Sequence, residues 1–186
     1  MQKLLISGGK KLSGEVVISG SKNASLPIII SSLLFADPVK FENDPKVQDI
    51  YTLINLLKVF GREVEFDENK EILKISKKNK DKYFAPYSIM KTMRAGVLVL
   101  APLLAKFRKA RVSLPGGCSI GARPVNLHLD ALKKLGAKIN VKNGYIDASA
   151  PKGLLGTNIK FSSISVGATE SIIIAAVLAK GITKIS

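Results

Sequence analysis

The sequence predicts an α/β fold built from a repeated unit of strand, apolar helix, strand, amphipathic helix and hairpin. Three observations predict it. Two segments read alike, LLKVFGREVEF at 56–66 and ALKKLGAKINV at 131–141. Each is the end of an amphipathic helix, a glycine and a strand, and the glycines, Gly61 and Gly136, lie 75 residues apart. Three stretches are apolar on nearly every face: SLPIIISSLLF (25–35), AGVLVLAPLLAKF (95–107) and ATESIIIAAVLAKG (168–181). Each of these leads into a strand-like segment, PVKFEN, ARVSL or ITKIS.

Taken in chain order, EVVIS (15–19) reads as the strand before the first apolar helix. A helix that is apolar all round must be buried all round. PVKFEN follows as a strand, then an amphipathic helix that stops at Gly61, then REVEF and ILKIS as a hairpin around DENKE. In the second unit a weakly defined strand near KYFAPY (82–87) precedes the apolar helix. ARVSL, a second amphipathic helix and Gly136 follow. The second hairpin turns at Asn143-Gly144, a pair suited to a turn that needs positive φ at both positions. The third unit has a strand at TNIKF (157–161), its apolar helix and ITKIS. About two and a half units are therefore expected. Three buried helices clustered inside sheets and amphipathic helices make one core, and the missing half unit leaves that core open on one side. The expectation is a piece of a longer protein.

Composition narrows the class. A chain of 186 residues with 46% hydrophobic content can bury a real core. One cysteine, Cys118, cannot make an internal disulfide. The opening segment MQKLLISGGKKLSGEVVISG alternates apolar and polar residues and lacks the core of a signal peptide. The longest uncharged run spans 23–36, 14 residues, and AGVLVLAPLLA at 95–105 has 11, against the roughly 20 that a membrane-spanning helix needs. A cytoplasmic protein with no membrane partner is expected. The net charge of +15 favours anionic partners. Twenty-four of the 29 cations are lysines spread along the chain, and the densest run, KISKKNKDK at 74–82, has no interleaved aromatics. No nucleic-acid surface is expected. A solvated lysine-rich surface and an anionic small substrate both remain.

Four places merit chemical reading. GSKNAS (20–25) opens the first apolar helix, where unpaired N–H groups favour phosphate or carboxylate. Lys22 and Asn23 would add a cation and a polar pair, although ordinary capping by Ser21 or Asn23 explains the same residues. KTMRAG (91–96) stands at the matching corner of the second unit. Its Arg94 is one of five arginines, with the planar fork that suits bidentate anion binding. LPGGCSIGARP (114–124) surrounds Cys118 with glycines and a cation, Arg123. A mobile lid with a reactive thiol and an incidental loop cysteine fit that pattern equally. His128, the lone histidine, has no ligand cluster around it, so it reads as a helix-surface residue or one lying behind a site, and no metal is expected.

At these residues the chain resembles the UDP-N-acetylglucosamine 1-carboxyvinyltransferases, a family of enolpyruvyl transferases. The motifs are ISGSKNASLPI, KTMRAG, LPGGCSIGARPVNLH, LGAKI and SVGAT, and the likeness runs from Met1 to Ser186. The related shikimate-pathway transferase shares the fold but not the PGGC loop. The resemblance implies an inside-out α/β barrel, two domains of three units each, and a chain about twice this length. It implies that residues 1–20 are strands packing with the second domain, and that 21–186 form an incomplete first domain. The implied reaction is that of a peptidoglycan-synthesis transferase without cofactor or metal. It moves the enolpyruvyl group of phosphoenolpyruvate to the 3'-hydroxyl of UDP-N-acetylglucosamine and releases phosphate.

Carried over by motif, Cys118 is the proton donor and Lys22 the second catalytic residue. Lys22, Asn23, Arg94 and Arg123 hold phosphoenolpyruvate. Asn23, Arg94, Arg123, Pro124, Val125, Asn126, Leu127, Ser163, Ile164, Ser165 and Val166 hold the sugar nucleotide. Two positions depart from the pattern: Asn126 replaces the usual Asp, and Ser163 stands where some members carry Lys. With the second domain absent, this chain alone is expected to be inactive. The alternative is a truncated UDP-sugar-binding module.

Overall fold

The computed structural model describes residues 3–115 and 125–186. The first apolar helix, α1 (Lys22–Ser31), tightens into a 3-10 turn at Ser32–Leu34. Strand β1 (Val39–Glu42) and helix α2 (Gln48–Val59) follow, then the hairpin β2 (Arg62–Asp67) and β3 (Ile72–Lys77). The second unit has a two-residue strand β4 (Phe84–Ala85), a short α3 (Tyr87–Met90) and a helical run over 94–107 that contains α4 (Leu100–Pro102). After it come β5 (Lys109–Ser113), α5 (Asn126–Lys134) and the hairpin β6 (Lys138–Lys142) and β7 (Tyr145–Ser149). The third has β8 (Asn158–Ile159), α6 (Val166–Ala176) and β9 (Lys184–Ile185).

The sheets repeat as the units do. The first has order β1-β3-β2, all antiparallel. The second has order β4-β5-β7-β6, with β4 parallel to β5 and the rest antiparallel. The third pairs β8 with β9 in parallel. The apolar helices meet one another at the centre, and Ile29, Ile30, Leu33, Leu100, Leu103, Ile172 and Ala175 lose all solvent contact there. α2 buries Ile50, Leu53 and Leu57 and packs on α1, while α5 packs on α6.

Local signals explain most boundaries. Gly61 (φ +89) and Gly136 (φ +93) end α2 and α5 in the left-handed conformation that a side chain resists. Asn143 (φ 52) and Gly144 (φ 76) make the expected hairpin turn. The 94–107 run is not one regular helix. It passes from a 3-10 segment (Arg94–Val99) through Leu100–Pro102 to a π segment (Leu103–Phe107). Pro102 has no N–H to return to Leu98, so the regular ladder is interrupted there. α6 ends at Ala176, short of the expected residue 181. Val177 and Leu178 beyond it are 65% and 46% exposed, so no packing holds another helical turn in place.

The strand expected at 15–19 is not formed, which corrects the sequence reading. Val16, Val17 and Ile18 are 79–90% exposed. A strand exists only against a partner edge, and among the described residues none pairs with this segment. The second sheet has β4 beside β5, whereas the corresponding edge of β1 is vacant among the described residues. On the central helices Ile28 and Ile173 are half exposed, so the core has an uncovered side.

A partly buried ion pair lies where the first two units meet, beside a hydrogen bond that joins them. Arg62, 4% exposed, reaches Asp81 at 3.2 Å and donates to the Leu33 carbonyl at 3.4 Å. Lys106 donates to the Phe35 carbonyl at 2.7 Å. Burial, then the charge of Arg62, pushes the Lys106 ammonium pKa below its ordinary value. These contacts gather the C-terminal ends of α1 and the 94–107 run at one end of the molecule.

Candidate active site

That arrangement fixes where the opposite ends lie. α1 and the 94–107 run are parallel, because their C-terminal ends touch and the 94–99 segment packs against α1. Their N-termini, carrying Lys22 and Arg94, therefore share the other end. β1 runs back toward it, and Asn43, the residue after β1, lies against Gly20 just before α1.

At α1, Ser21 is the N-cap and accepts from the Ala24 N–H at 3.4 Å. Lys22 is the first helical residue, and its Nζ lies 3.0 Å from Asp49 at the start of α2. Asn23 is exposed. Pro27 lacks the N–H that would return to the Asn23 carbonyl, which leaves that oxygen without its intrahelical donor. Gly20 packs against β1's end so closely that a Cβ there would lie 1.7 Å from the Asn43 carbonyl oxygen. Asp44 is 3% exposed beneath Ser25. Burial pushes its carboxyl pKa up, against an opposing hydrogen bond from Ser25. Asp49 and Asp44 were not singled out in the sequence. Only a place in the first turn of an amphipathic helix marked Asp49, and that position suits any acid.

Arg94 begins the 3-10 segment and is partly buried. Gly96, two residues on, makes room for Met90, whose Sδ would lie 2.7 Å from a Cβ. The loop expected to carry Cys118, Arg123 and Pro124 lies outside the described residues. Its anchors do not. Leu114 donates to the Gly144 carbonyl at 2.8 Å, and Val125 is the N-cap of α5. Asn126 is exposed and Leu127 half-buried at the start of that helix.

In the third unit Ser165 caps α6 and accepts from the Ala168 N–H at 3.2 Å. Ser163 and Ile164 are exposed, and Val166 is 72% exposed. With Phe161, Thr169 and Glu170, these residues line a hollow of about 610 Å³ at the helix N-terminus. Burial pushes the Glu170 carboxyl pKa above its ordinary value. A serine-capped N-terminus with exposed N–H groups and small polar neighbours suits an anionic oxygen cluster. The structure thus places Val125–Leu127 and Ser163–Val166 at the N-terminal ends of two helices that pack together. Lys22 and Asn23 sit at the start of α1, and Arg94 at the start of the adjacent run.

His128 is not on the helix surface. It is 9% exposed between α5 and α6, with Nδ1 2.8 Å from Ser171 Oγ. Burial pushes its pKa down to about 4. A different hollow, about 470 Å³, lies on the outer face of the second sheet and includes none of the expected residues. There Lys109 lies 4.1 Å over the Tyr83 ring and Arg111 5.0 Å over Tyr145. Cations and aromatics interleave across strands where the linear sequence shows no such run. Among the described residues no group of three or more His, Cys, Asp or Glu could hold a metal ion, and no helix is long and apolar enough to cross a membrane.

Comparison with known proteins shows the family and the fold. The UDP-N-acetylglucosamine 1-carboxyvinyltransferase of Pelagibacter ubique is 58% identical over 186 residues, all of this chain and 44% of the relative. That of Endomicrobium trichonymphae is 51% identical over 183 residues, 98% of this chain and 43% of the relative. The chain thus spans less than half the length of the curated relatives it matches. Among solved structures, the enolpyruvyl transferase NikO from Streptomyces tendae superposes with a TM-score of 0.79 at 20% identity, over 96% of this chain and 41% of NikO. EPSP synthase from Acinetobacter baumannii superposes with a TM-score of 0.71 at 18% identity, over 93% of this chain and 40% of its own. At those identities the likeness is one of fold. The sequence profile of the EPSP synthase (3-phosphoshikimate 1-carboxyvinyltransferase) family matches residues 6–186, and the chain belongs to that family.

Proposed function

We propose that this chain is the first portion of an enolpyruvyl transferase acting on UDP-N-acetylglucosamine. The observation that carries the reading is where the expected residues fall. Lys22 and Asn23 open α1, Arg94 opens the run packed beside it, and 125–127 and 163–166 stand at the N-terminal ends of α5 and α6, which pack together. Identity of 58% along the whole chain to a relative of that name supports the substrate. The serine-capped hollow at α6 suits a diphosphate, and the partner is then a nucleotide sugar in the cytoplasm rather than a nucleic acid.

In the reaction the sugar 3'-hydroxyl oxygen bonds to C2 of phosphoenolpyruvate while C3 takes a proton. The tetrahedral adduct then loses a C3 proton and inorganic phosphate, restoring the double bond. Negative charge is held throughout by phosphate and carboxylate, so fixed cations at Lys22, Arg94 and Arg123 stabilise the route. Cys118 supplies the proton to C3. Asn126 keeps an acceptor for the base but not a charge, and Ser163 gives up a phosphate contact that a lysine would make.

Residues 1–20 and the uncovered sides of α1 and α6 pack against parts of the protein beyond this chain. The chain by itself then holds the acid side and part of the anion clamp, and turns nothing over. The test mixes the complete protein with phosphoenolpyruvate and either UDP-N-acetylglucosamine or 3-phosphoshikimate, and measures phosphate release. Release with the sugar nucleotide alone is expected, and release with 3-phosphoshikimate alone would overturn the reading. Calorimetry of this chain with UDP-N-acetylglucosamine separates a binding-competent piece from an inert one.

A further inference from the structure

His128 lies in the first turn of α5 with its ring between α5 and α6. One ring nitrogen, Nδ1, is 2.8 Å from Oγ of Ser171, a residue with no exposed surface. Another part of the ring lies against Gly167, where a Cβ would be 3.3 Å from Cε1 and 3.5 Å from Nε2. Gly167 and Ser171 are four residues apart, so they share a face of α6. The imidazole therefore touches α6 at two points one turn apart, and a two-point contact limits both sliding and rotation. His128 follows Leu127 directly, and Gly167 follows Val166 directly. The bridge thus joins the two helices where the stretches 125–127 and 163–166 end.

We infer that His128, hydrogen-bonded to Ser171 and admitted by Gly167, is a positioning residue that sets Val125–Leu127 against Ser163–Val166. The inference rests on the reading that these stretches bind a nucleotide sugar. An aliphatic side chain would fill the same space without direction, whereas a buried hydrogen bond fixes orientation, and breaking it strands the serine hydroxyl. Burial keeps the imidazole neutral at ordinary pH. The bond is then one between neutral groups and needs no counter-charge from the hollow beside it.

The test compares His128→Asn, His128→Leu and Ser171→Ala with the unaltered chain. UDP-N-acetylglucosamine affinity is measured by calorimetry, and amide hydrogen exchange is followed at residues 165–169. The asparagine amide can reach Ser171 from near the place of Nδ1. Loss of one buried hydrogen bond predicts about tenfold weaker binding and about tenfold faster exchange in His128→Leu and Ser171→Ala, with His128→Asn close to the original. Unchanged affinity and exchange in Ser171→Ala would overturn the inference, as would a folded His128→Asn no better than His128→Leu. Should His128→Leu fail to fold, Ser171→Ala decides alone. If the unaltered chain takes up no nucleotide, the functional reading fails for it, and the exchange comparison still decides whether the bridge positions the two stretches.

Discussion

Acidification should unfold this protein partly through one buried imidazole. His128 carries an ordinary pKa of 6.5 when exposed and about 4 in the fold, because burial disfavours its cation. Above pH 6.5 neither the folded nor the unfolded chain holds that proton, and the full stability is present. Between pH 6.5 and 4 the unfolded chain binds the proton and the folded one does not, so stability falls as pH falls. At pH 5 the gap covers 1.5 pH units at about 1.36 kcal/mol each, a loss of about 2 kcal/mol relative to pH 7.5. Asp44 and Glu170, whose carboxyls burial pushes up, act with the opposite sign. Glu42, which Lys40 holds below its ordinary value by hydrogen bond and charge, acts in the same direction as His128 but only at lower pH. Subtracting a variant removes these common contributions. Urea unfolding followed by circular dichroism at pH 7.5 and 5.0 gives the two stabilities for the original chain and for His128→Asn. The original should lose about 2 kcal/mol more than the variant over that interval. Parallel losses in the two proteins, with equal urea dependence, would refute the buried neutral imidazole.

Other expectations follow from the site. Ser165→Ala removes the cap of α6 and should cost about 1 kcal/mol in urea unfolding, with weaker nucleotide binding from the same turn. Gly20→Ala drives a methyl into the Asn43 carbonyl. It should destabilise the fold by about 1–3 kcal/mol and shift the amide resonances of residues 43–49, and a silent substitution would contradict the close approach. An epoxide analogue of phosphoenolpyruvate should alkylate Cys118 slowly in this chain and faster in the complete protein, as read by intact mass. Equal, stoichiometric rates would show that the loop needs nothing beyond residue 186.

Much of this molecule was legible along the chain because the signals are local. A glycine after an amphipathic helix must take positive φ to turn the chain, so Gly61 and Gly136 marked both helix ends. Asn143-Gly144 marked its turn for the same reason. Helices apolar on all faces can only be central, which placed the core and, by repetition, the shared end where Lys22 and Arg94 stand. The stretches around Lys22 and Arg94 then suggested an anion site before any geometry, and the family resemblance added 123–127 and 163–166.

What the tertiary structure decided involves residues far apart in sequence or the presence of a partner. EVVIS has the alternation of a strand, but a strand needs an edge, and no described residue offers it one. Pro102 could be read in the sequence, but not the 3-10 segment before it and the π segment after it, nor the close fit of Met90 against Gly96. Lys22 meets Asp49 only because α2 folds back on α1. His128 meets Ser171 across 43 residues only because α5 lies on α6. Periodicity states that a face is buried and not against what. The partner of a buried polar group is set by helix packing, and that is decided by the whole core at once.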